Sequence, residues 1–266
     1  MSMLLLMDDD GPPFPRSLFA SGEQGIWLDP SDFSTLFQDA TGTTPVTAVG
    51  QPVGKILDKS GRGNHATQST GASRPTLQQD SNGLYYLSFD GTDDSMATPS
   101  INFTGTNKMT VSTGAKANSA AASAVLFELS SATGAGNPGS MAIMWPRLPY
   151  AVNFALAGTA AASRSTSAPA DTGLRVISCA FDISSALTVD EIKPRVNGAA
   201  PSLLTIDAGP AGTGNFGNYP LYIGRRGGTT LPFNGRIYQL IIRGAESNAG
   251  QIAAGEAWCN GKTRAY

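Results

Sequence analysis

Five glutamates, at positions 23, 128, 191, 246 and 256, are the chain's full set of that residue, and none lies in a Glu-x-Asp-x-x-Glu pattern. Glycoside hydrolysis normally needs two carboxylates about 5–10 Å apart across a scissile bond, and such a strand pattern is a common way to supply them. The single histidine, His65, sits inside a turn-like run and has no second histidine to share a metal. No Gly-x-Ser-x-Gly elbow and no His/Cys metal set is present. The residue types therefore favour a protein that binds or builds over one that catalyses, with an enzyme made from scattered aspartates as the lesser reading. Cys179, in Arg175-Val-Ile-Ser-Cys-Ala-Phe181, and Cys259, at the end of a helical stretch, lack metal-ligand spacing. They read as inert core thiols, a disulfide or redox pair being the alternative.

Three constellations remain that could hold a ligand or partner. Asp90, Asp93 and Asp94 form a carboxylate cluster that could contribute to calcium, which takes six to eight oxygens. The competing reading has Asp90 and Asp93 accepting turn N–H groups, as Asp does in Asx turns, and no metal is assigned. A sugar offers an apolar face and hydroxyls, so its site combines an aromatic platform with planar polar groups. Met144-Trp-Pro-Arg-Leu-Pro-Tyr150 and Gly214-Asn-Phe-Gly-Asn-Tyr219 supply that mixture, with Trp145, Arg147, Tyr150, Asn215 and Tyr219 as candidate carbohydrate contacts. Against this, Trp145 could simply be core at a strand end. The third is Met3, Leu4, Leu5, Leu6 and Met7, five consecutive apolar residues that neither strand nor helix periodicity can place on one face. They read as a surface that docks on a partner, the alternative being an unstructured start.

The elements that would carry these groups are mostly strands. Leu84–Phe89, Met109–Thr113 and Ala124–Leu129 are β-branched or aromatic runs bounded by Gly, Asn, Asp and Ser. Met141–Trp145, Tyr150–Leu156, Leu174–Phe181, Leu203–Ile206, Leu221–Ile223 and Arg236–Ile242 follow the same pattern. Arg195-Val-Asn-Gly198 holds the Asn-Gly pair that favours a two-residue hairpin. About ten short strands favour a two-sheet sandwich. Phe89, Val111, Leu126, Phe127, Ile177, Ile223 and Ile241 are the expected core, though Leu126 and Phe127 can both face inward only if a bulge intervenes. Segments 114–123 and 155–170 are rich in small residues and read equally as flat strands or loops. Ser31 or Asp32 could cap a short turn before Phe33, and Asn248 with Gln251 makes a capping box for a helix to about Trp258, stopped by Asn260-Gly261.

Three sections result: an extended arm over residues 1–16, broken by Pro12, Pro13 and Pro15; a segment over 17–57 that packs on the sandwich; and a sandwich with its closing helix over 58–266. Of the 266 residues, 41% are hydrophobic, enough for a core, while only 14% are charged, well below the roughly 25% of an average soluble domain. With a net charge of −2 and no basic run, the footprint of nucleic-acid binding is missing. The apolar run near position 4 is too short to span a membrane and has no basic leader, so cytosolic synthesis without membrane insertion is expected.

Asp58-Lys-Ser-Gly-Arg-Gly-Asn-His-Ala66, then Phe89-Asp-Gly-Thr-Asp-Asp94, then Val196-Asn-Gly198, then Phe233-Asn-Gly-Arg-Ile-Tyr-Gln-Leu-Ile-Ile242 resemble, in that order, the motifs of laminin-G-like, concanavalin A-like jelly rolls. Gly22–Asp39 and Val46–Asp58 resemble segments of bacteriophage and prophage virion-associated proteins that carry this jelly roll. The resemblance implies an all-β fold: a two-sheet antiparallel jelly-roll sandwich with an N-terminal arm and a short C-terminal helix. It further implies a virion structural protein in a tail, fibre or head decoration, made in the bacterial host cytoplasm and binding no cofactor. Its partners would be other virion proteins and further copies of itself; the alternative is an adhesin that binds a host cell-surface glycan. Incubating the purified protein with host capsule or lipopolysaccharide should release no reducing ends, and their release would overturn the non-catalytic reading.

Overall fold

A computed structural model describes residues 14–131, 136–166 and 170–266. The expected docking residues Met3, Leu4, Leu5, Leu6 and Met7 lie outside the described residues. Along the chain the strands are β1 (Gly25–Leu28), β2 (Leu36–Phe37), β3 (Lys55–Ile56), β4 (Ala66–Thr67), β5 (Thr76–Gln79), β6 (Tyr85–Asp90) and β7 (Met96–Ala97). They continue as β8 (Ile101–Asn102), β9 (Lys108–Ala117), β10 (Val125–Leu129), β11 (Met141–Met144), β12 (Asn153–Ala157), β13 (Ala161–Thr166) and β14 (Leu174–Asp182). After a one-turn helix α1 (Thr188–Glu191) come β15 (Ile192–Val196), β16 (Leu204–Ala208), β17 (Asn218–Tyr219), β18 (Leu221–Ile223), β19 (Asn234–Arg243) and the closing helix α2 (Ala249–Thr263). No helix among the described residues is long and apolar enough to cross a membrane.

The fold is the expected all-β sandwich. A seven-stranded sheet in the order β15-β14-β9-β19-β6-β5, with β1 also on β19, faces a ten-stranded sheet in the order β16-β13-β12-β11-β10-β18-β7-β4-β3-β2. Along β9 and β14, alternation sends Met109, Val111, Ile177, Cys179 and Phe181 inward to meet Phe127, Phe154 and Ile223 of the other sheet in one core. Leu126 and Phe127 are both fully buried in that core, and a register shift between Val125 and Phe127 supplies the bulge that this requires. A second shift, between Ile237 and Gln239 of β19, resets alternation there. Leu240 and Ile242 join the main core. Ile241, expected there too, belongs instead to a separate cluster with Trp27, Leu18 and Phe19.

That second cluster covers the outer side of the seven-stranded sheet. Phe14 and Trp27 both meet Trp258 of α2 edge-on, with ring centroids 6.0 Å apart in each pair. Residues 17–57, expected to pack on the sandwich, are woven into it: β1 joins the seven-stranded sheet, β2 and β3 the other. The fastening for β1 is the turn at Asp58. Its buried carboxylate accepts from the amides of Trp27, Ser60 and Asn64, while Asn64 donates to the Gly25 carbonyl at 2.7 Å. His65 accepts the Asp58 amide at 2.9 Å through Nδ1, the structural role its sequence setting suggests.

Helix α2 begins at the expected box, with Asn248 accepting from the Gln251 amide and Gln251 accepting from the Asn248 amide. It passes Asn260-Gly261, its expected stop, and ends at Thr263, where Arg264 takes the left-handed conformation. The extra turn is held by Gly114 of β9. A Cβ there would sit 2.2 Å from Thr263 Cγ2, so only a bare strand position lets the last turn lie down. Glu256, also buried, accepts from Ser178 Oγ at 2.6 Å and pairs with Arg195 Nε at 2.7 Å, tying the helix to β14 and β15. Gly114→Ala should therefore cost roughly 1–3 kcal/mol by overpacking. Adding Thr263→Ser, which removes the obstructing methyl, should recover most of the lost melting temperature; an additive double variant would contradict this contact.

Candidate functional site

The loop from β11 to β12 carries Trp145, Arg147 and Tyr150. Trp145 is fully buried within the main core, so it cannot serve as a sugar platform. Its amide donates to the Ala124 carbonyl at 3.0 Å, which continues the strand pairing one residue past β11 and keeps the indole turned inward. Arg147 and half-buried Tyr150 do come together, exchanging backbone hydrogen bonds of 3.1 and 2.7 Å across the tight loop, with Arg147 exposed. Asn215 and Tyr219 lie at the other end of β11. Tyr219 Oη donates to the Pro138 carbonyl at 2.9 Å and Asn215 Nδ2 to the Thr104 carbonyl at 2.7 Å. At about 3.3 Å per residue, the extended run from Ser140 to Trp145 alone separates the two groups by roughly 17 Å, beyond the reach of one sugar ring.

The aspartate cluster closes the turn after β6. One Asp90 oxygen accepts the amides of Thr92, Asp93 and Asp94, and Gly91 takes the positive φ of 78° that the turn demands. Asp93 does not repeat that role; its carboxylate accepts Ser73 Oγ at 2.7 Å. Asp94 accepts the Asp90 amide at 3.0 Å. The three carboxylates bring one oxygen each within 4.8 Å of one another. Burial, and then the negative charge of Asp90, push the Asp94 carboxyl up to about 7, whereas the backbone amides hold Asp90 below the usual carboxylate range.

Among the described residues three glutamates are buried, and each has a structural partner. Glu128 on β10 pairs with Arg226 Nε at 2.8 Å and accepts Ser130 Oγ, while Glu256 is held by Arg195 and Ser178. Glu191 accepts the Ala211 amide at 2.8 Å, and burial pushes its carboxyl up. Glu128 and Glu256 belong to different layers, one on the ten-stranded sheet and one on the helix over the other sheet. The thiols of Cys179 and Cys259 are likewise kept apart by the seven-stranded sheet, Cys179 in the main core and Cys259 under α2. Burial pushes Cys259 up to about 12.

A groove of about 480 Å³ runs along the edge strand β15. Ser178 and Ala180 of β14 and Thr110 of β9 lie against it, with Lys193 and Arg195 of β15 on one side and Ser247 and Ile252 at the start of α2 on the other. Val189, Pro194 and Leu204 add apolar surface, and Arg164 closes the sandwich edge by donating to the Ile192 carbonyl at 2.7 Å. Sequence reasoning missed this feature, because its parts come from elements up to 142 positions apart, Thr110 to Ile252, with no shared periodicity.

No family model matches the sequence, and no curated protein does. Solved structures match at the level of fold. The chain is similar to botulinum neurotoxin type C, described as depending on two ganglioside molecules to enter cells, with a TM-score of 0.55 and 12% identity over 89% of this chain and 51% of that one. Domain 4 of AbnA, an extracellular arabinanase from Geobacillus stearothermophilus bound to arabinotriose, matches with a TM-score of 0.54 and 15% identity, over 75% of this chain and 92% of that domain. Trypanosoma rangeli sialidase matches with a TM-score of 0.54 and 11% identity, over 92% of this chain and 35% of its own. The chain thus spans about half of the neurotoxin chain and a third of the sialidase.

The aspartate cluster makes a pH-dependent prediction. Asp94 holds its proton in the folded chain at pH values where the unfolded chain has lost it, so its contribution is full below about pH 4 and fades as pH rises through about 7. Asp94→Asn, which stays neutral, should melt higher than the parent at pH 8, by less at pH 5, and close to it near pH 4. A difference in melting temperature that stays constant with pH would contradict the assigned charge.

Proposed function

We propose that this chain is a non-enzymatic structural domain of a phage or prophage particle, fixed through its N-terminal arm and exposing the opposite side of the sandwich. The observation that carries this reading is the position of Phe14. It packs on Trp258 of α2, so the described fold begins on the helix-covered side of the seven-stranded sheet. The ten-stranded sheet lies on the far side of the core from that point. The likeness of Gly22–Asp39 and Val46–Asp58 to virion-associated segments supports a particle as the place of attachment, and the apolar run Met3–Met7 supports docking on a neighbour.

A second reading, a glycan-binding adhesin, is favoured by a specific observation. Two of the fold neighbours, the neurotoxin and the arabinanase domain, are described with gangliosides and arabinotriose. On this chain the exposed Arg147 beside Tyr150 is the pair that would meet a sugar, with Trp145 excluded by its burial.

Removing residues 1–13 discriminates the readings. The anchoring reading expects loss of incorporation into particles with the purified protein's melting temperature nearly unchanged. Incorporation that survives the deletion sinks the anchoring reading. Binding of the isolated protein to a glycan array, lost in Arg147→Ala and Tyr150→Ala, would promote the adhesin.

A further inference from the structure

Each end of the two large sheets is a strand with one side free to pair, and among the described residues only β16 keeps that side open. Leu77 of β5 donates to the Gln51 carbonyl and accepts the Gly50 amide, and Leu36 of β2 accepts the Val46 amide. On β15, Ile192 donates to the Thr188 carbonyl and accepts Arg164, while Val196 and Ala199 close a turn on each other. The outer side of β1 is held by Asp58 and Asn64. An unpaired edge is a template for another strand unless charge, proline or a bulge blunts it.

The ladder fixes which groups of β16 face outward. Thr166 of β13 donates to the Val152 carbonyl, so its backbone turns toward β12 and that of Ser165 turns toward β16. Ser165 stands opposite Thr205, so those two exchange hydrogen bonds, and the N–H and C=O of Leu204 and Ile206 point away from the sheet. No other segment of the described chain bonds to them. Nothing on the strand blunts this stretch. Pro201 and Pro210 lie outside β16, and the register shift falls past Ile206. The strand's only charge, Asp207, is turned back over β13, accepting from Ser165 Oγ at 2.5 Å and Asn153 Nδ2 at 3.1 Å. Ile206 stands opposite Arg164, and Arg164 opposite Phe154 of the core, so Leu204 and Ile206 belong to the inner face. Ile206 is nonetheless 52% exposed, and Leu204 shares the wall of the groove with exposed Val189.

We propose that β16 pairs with β16 of a second copy of this chain, antiparallel about a two-fold axis at Thr205. The strand's own pattern selects the partner. Antiparallel pairing sets outward-facing residues opposite one another, and an axis at Thr205 sets Leu204 of one copy opposite Ile206 of the other, twice over. Each such pair exchanges both of its backbone bonds and lays leucine against isoleucine on the inner face, an apolar cross-strand match. Thr205, whose backbone serves β13, meets its own copy at the non-hydrogen-bonded position between them. Both Asp207 carboxylates stay bonded within their own sheets, so the seam brings no like charges together. The two ten-stranded sheets then run edge to edge as one. The pairing is independent of the anchoring reading, since it uses no residue of the arm.

The test uses the full chain, whose native thiols are both buried. At the axis the two Thr205 Cα atoms would stand about 4.5 Å apart, within disulfide range. The two copies of Leu203 would lie four positions apart along the seam, roughly 13 Å at about 3.3 Å per residue, beyond that range. Under mild oxidation Thr205→Cys should therefore give a covalent dimer in at least several-fold higher yield than Leu203→Cys. Ile206→Lys, at an exposed position, should cut that yield several-fold and shift the parent chain from dimer to monomer in sedimentation equilibrium. A parent that sediments as a monomer at every concentration overturns the inference. So do equal yields from the two cysteine positions, or a dimer that Ile206→Lys leaves intact. Should the lysine variant lose its cooperative melting, the comparison of Thr205→Cys with Leu203→Cys still decides.

Discussion

The close approach of α2 to the outer face of the seven-stranded sheet is the contact from which the rest of the molecule's asymmetry follows. A helix can lie directly on a strand only where the strand carries almost nothing, and β9 offers Thr110, Ser112 and Gly114 on that side. Gly255 faces the same row from the helix, with a Cβ position 3.2 Å from Ser112 Oγ. The burial is too polar to be held by apolar area alone, so the Glu256 carboxylate, bonded to Arg195 and Ser178, fixes the helix laterally. Breaking such a buried pair from one side leaves an uncompensated charge, which is far costlier than the pair's own worth. Because the helix lies over β9 and β14, β15 is left uncovered and the groove opens beside it. Because Trp258 faces away from the sheet centre, Phe14 and Trp27 have a ring to close upon. Phe14, helix and groove thus share one side.

Much of the fold was legible because its long strands alternate. β9, β14 and β19 each run nine or ten residues with bulky inward positions, and the sequence runs that mark them fall inside the observed bounds. The two-residue strands β2, β3, β4 and β7 were not legible, since two positions cannot display a period. Their place is set by pairing with neighbours far along the chain. The bulge in β10 was foreseeable from two adjacent large residues, and the structure supplies it. The bulge in β19 was not, and its reset of alternation is why Ile241 lies under the helix instead of inside the sandwich. Gly261 misled as a helix stop because the contact at Gly114 outweighs one unfavourable residue.

The candidate site was less legible, for a reason of the same kind. Trp145, with two prolines close by, reads as a displayed aromatic, yet one more backbone hydrogen bond beyond β11 turns it inward. The carboxylates that attract a search for chemistry serve here as fasteners: Asp58 for β1, Asp90 for a turn, Glu128 and Glu256 for an arginine each. Residue type alone does not separate these duties from catalysis. The partners that do so are distant in sequence, 61 positions for Glu256 and Arg195 and 98 for Glu128 and Arg226.

The account's central claim is that the helix-covered side is the attachment side, and hydrogen–deuterium exchange tests it most directly. Exchange would be compared at a protein concentration that supports association, between the full chain and the variant with Leu4, Leu5 and Leu6 all replaced by Ser. The account predicts that the amides of α2 exchange more slowly in the full chain, while those of the ten-stranded sheet are unchanged. Equal exchange along α2 in the two proteins, or protection confined to the ten-stranded sheet, would contradict it.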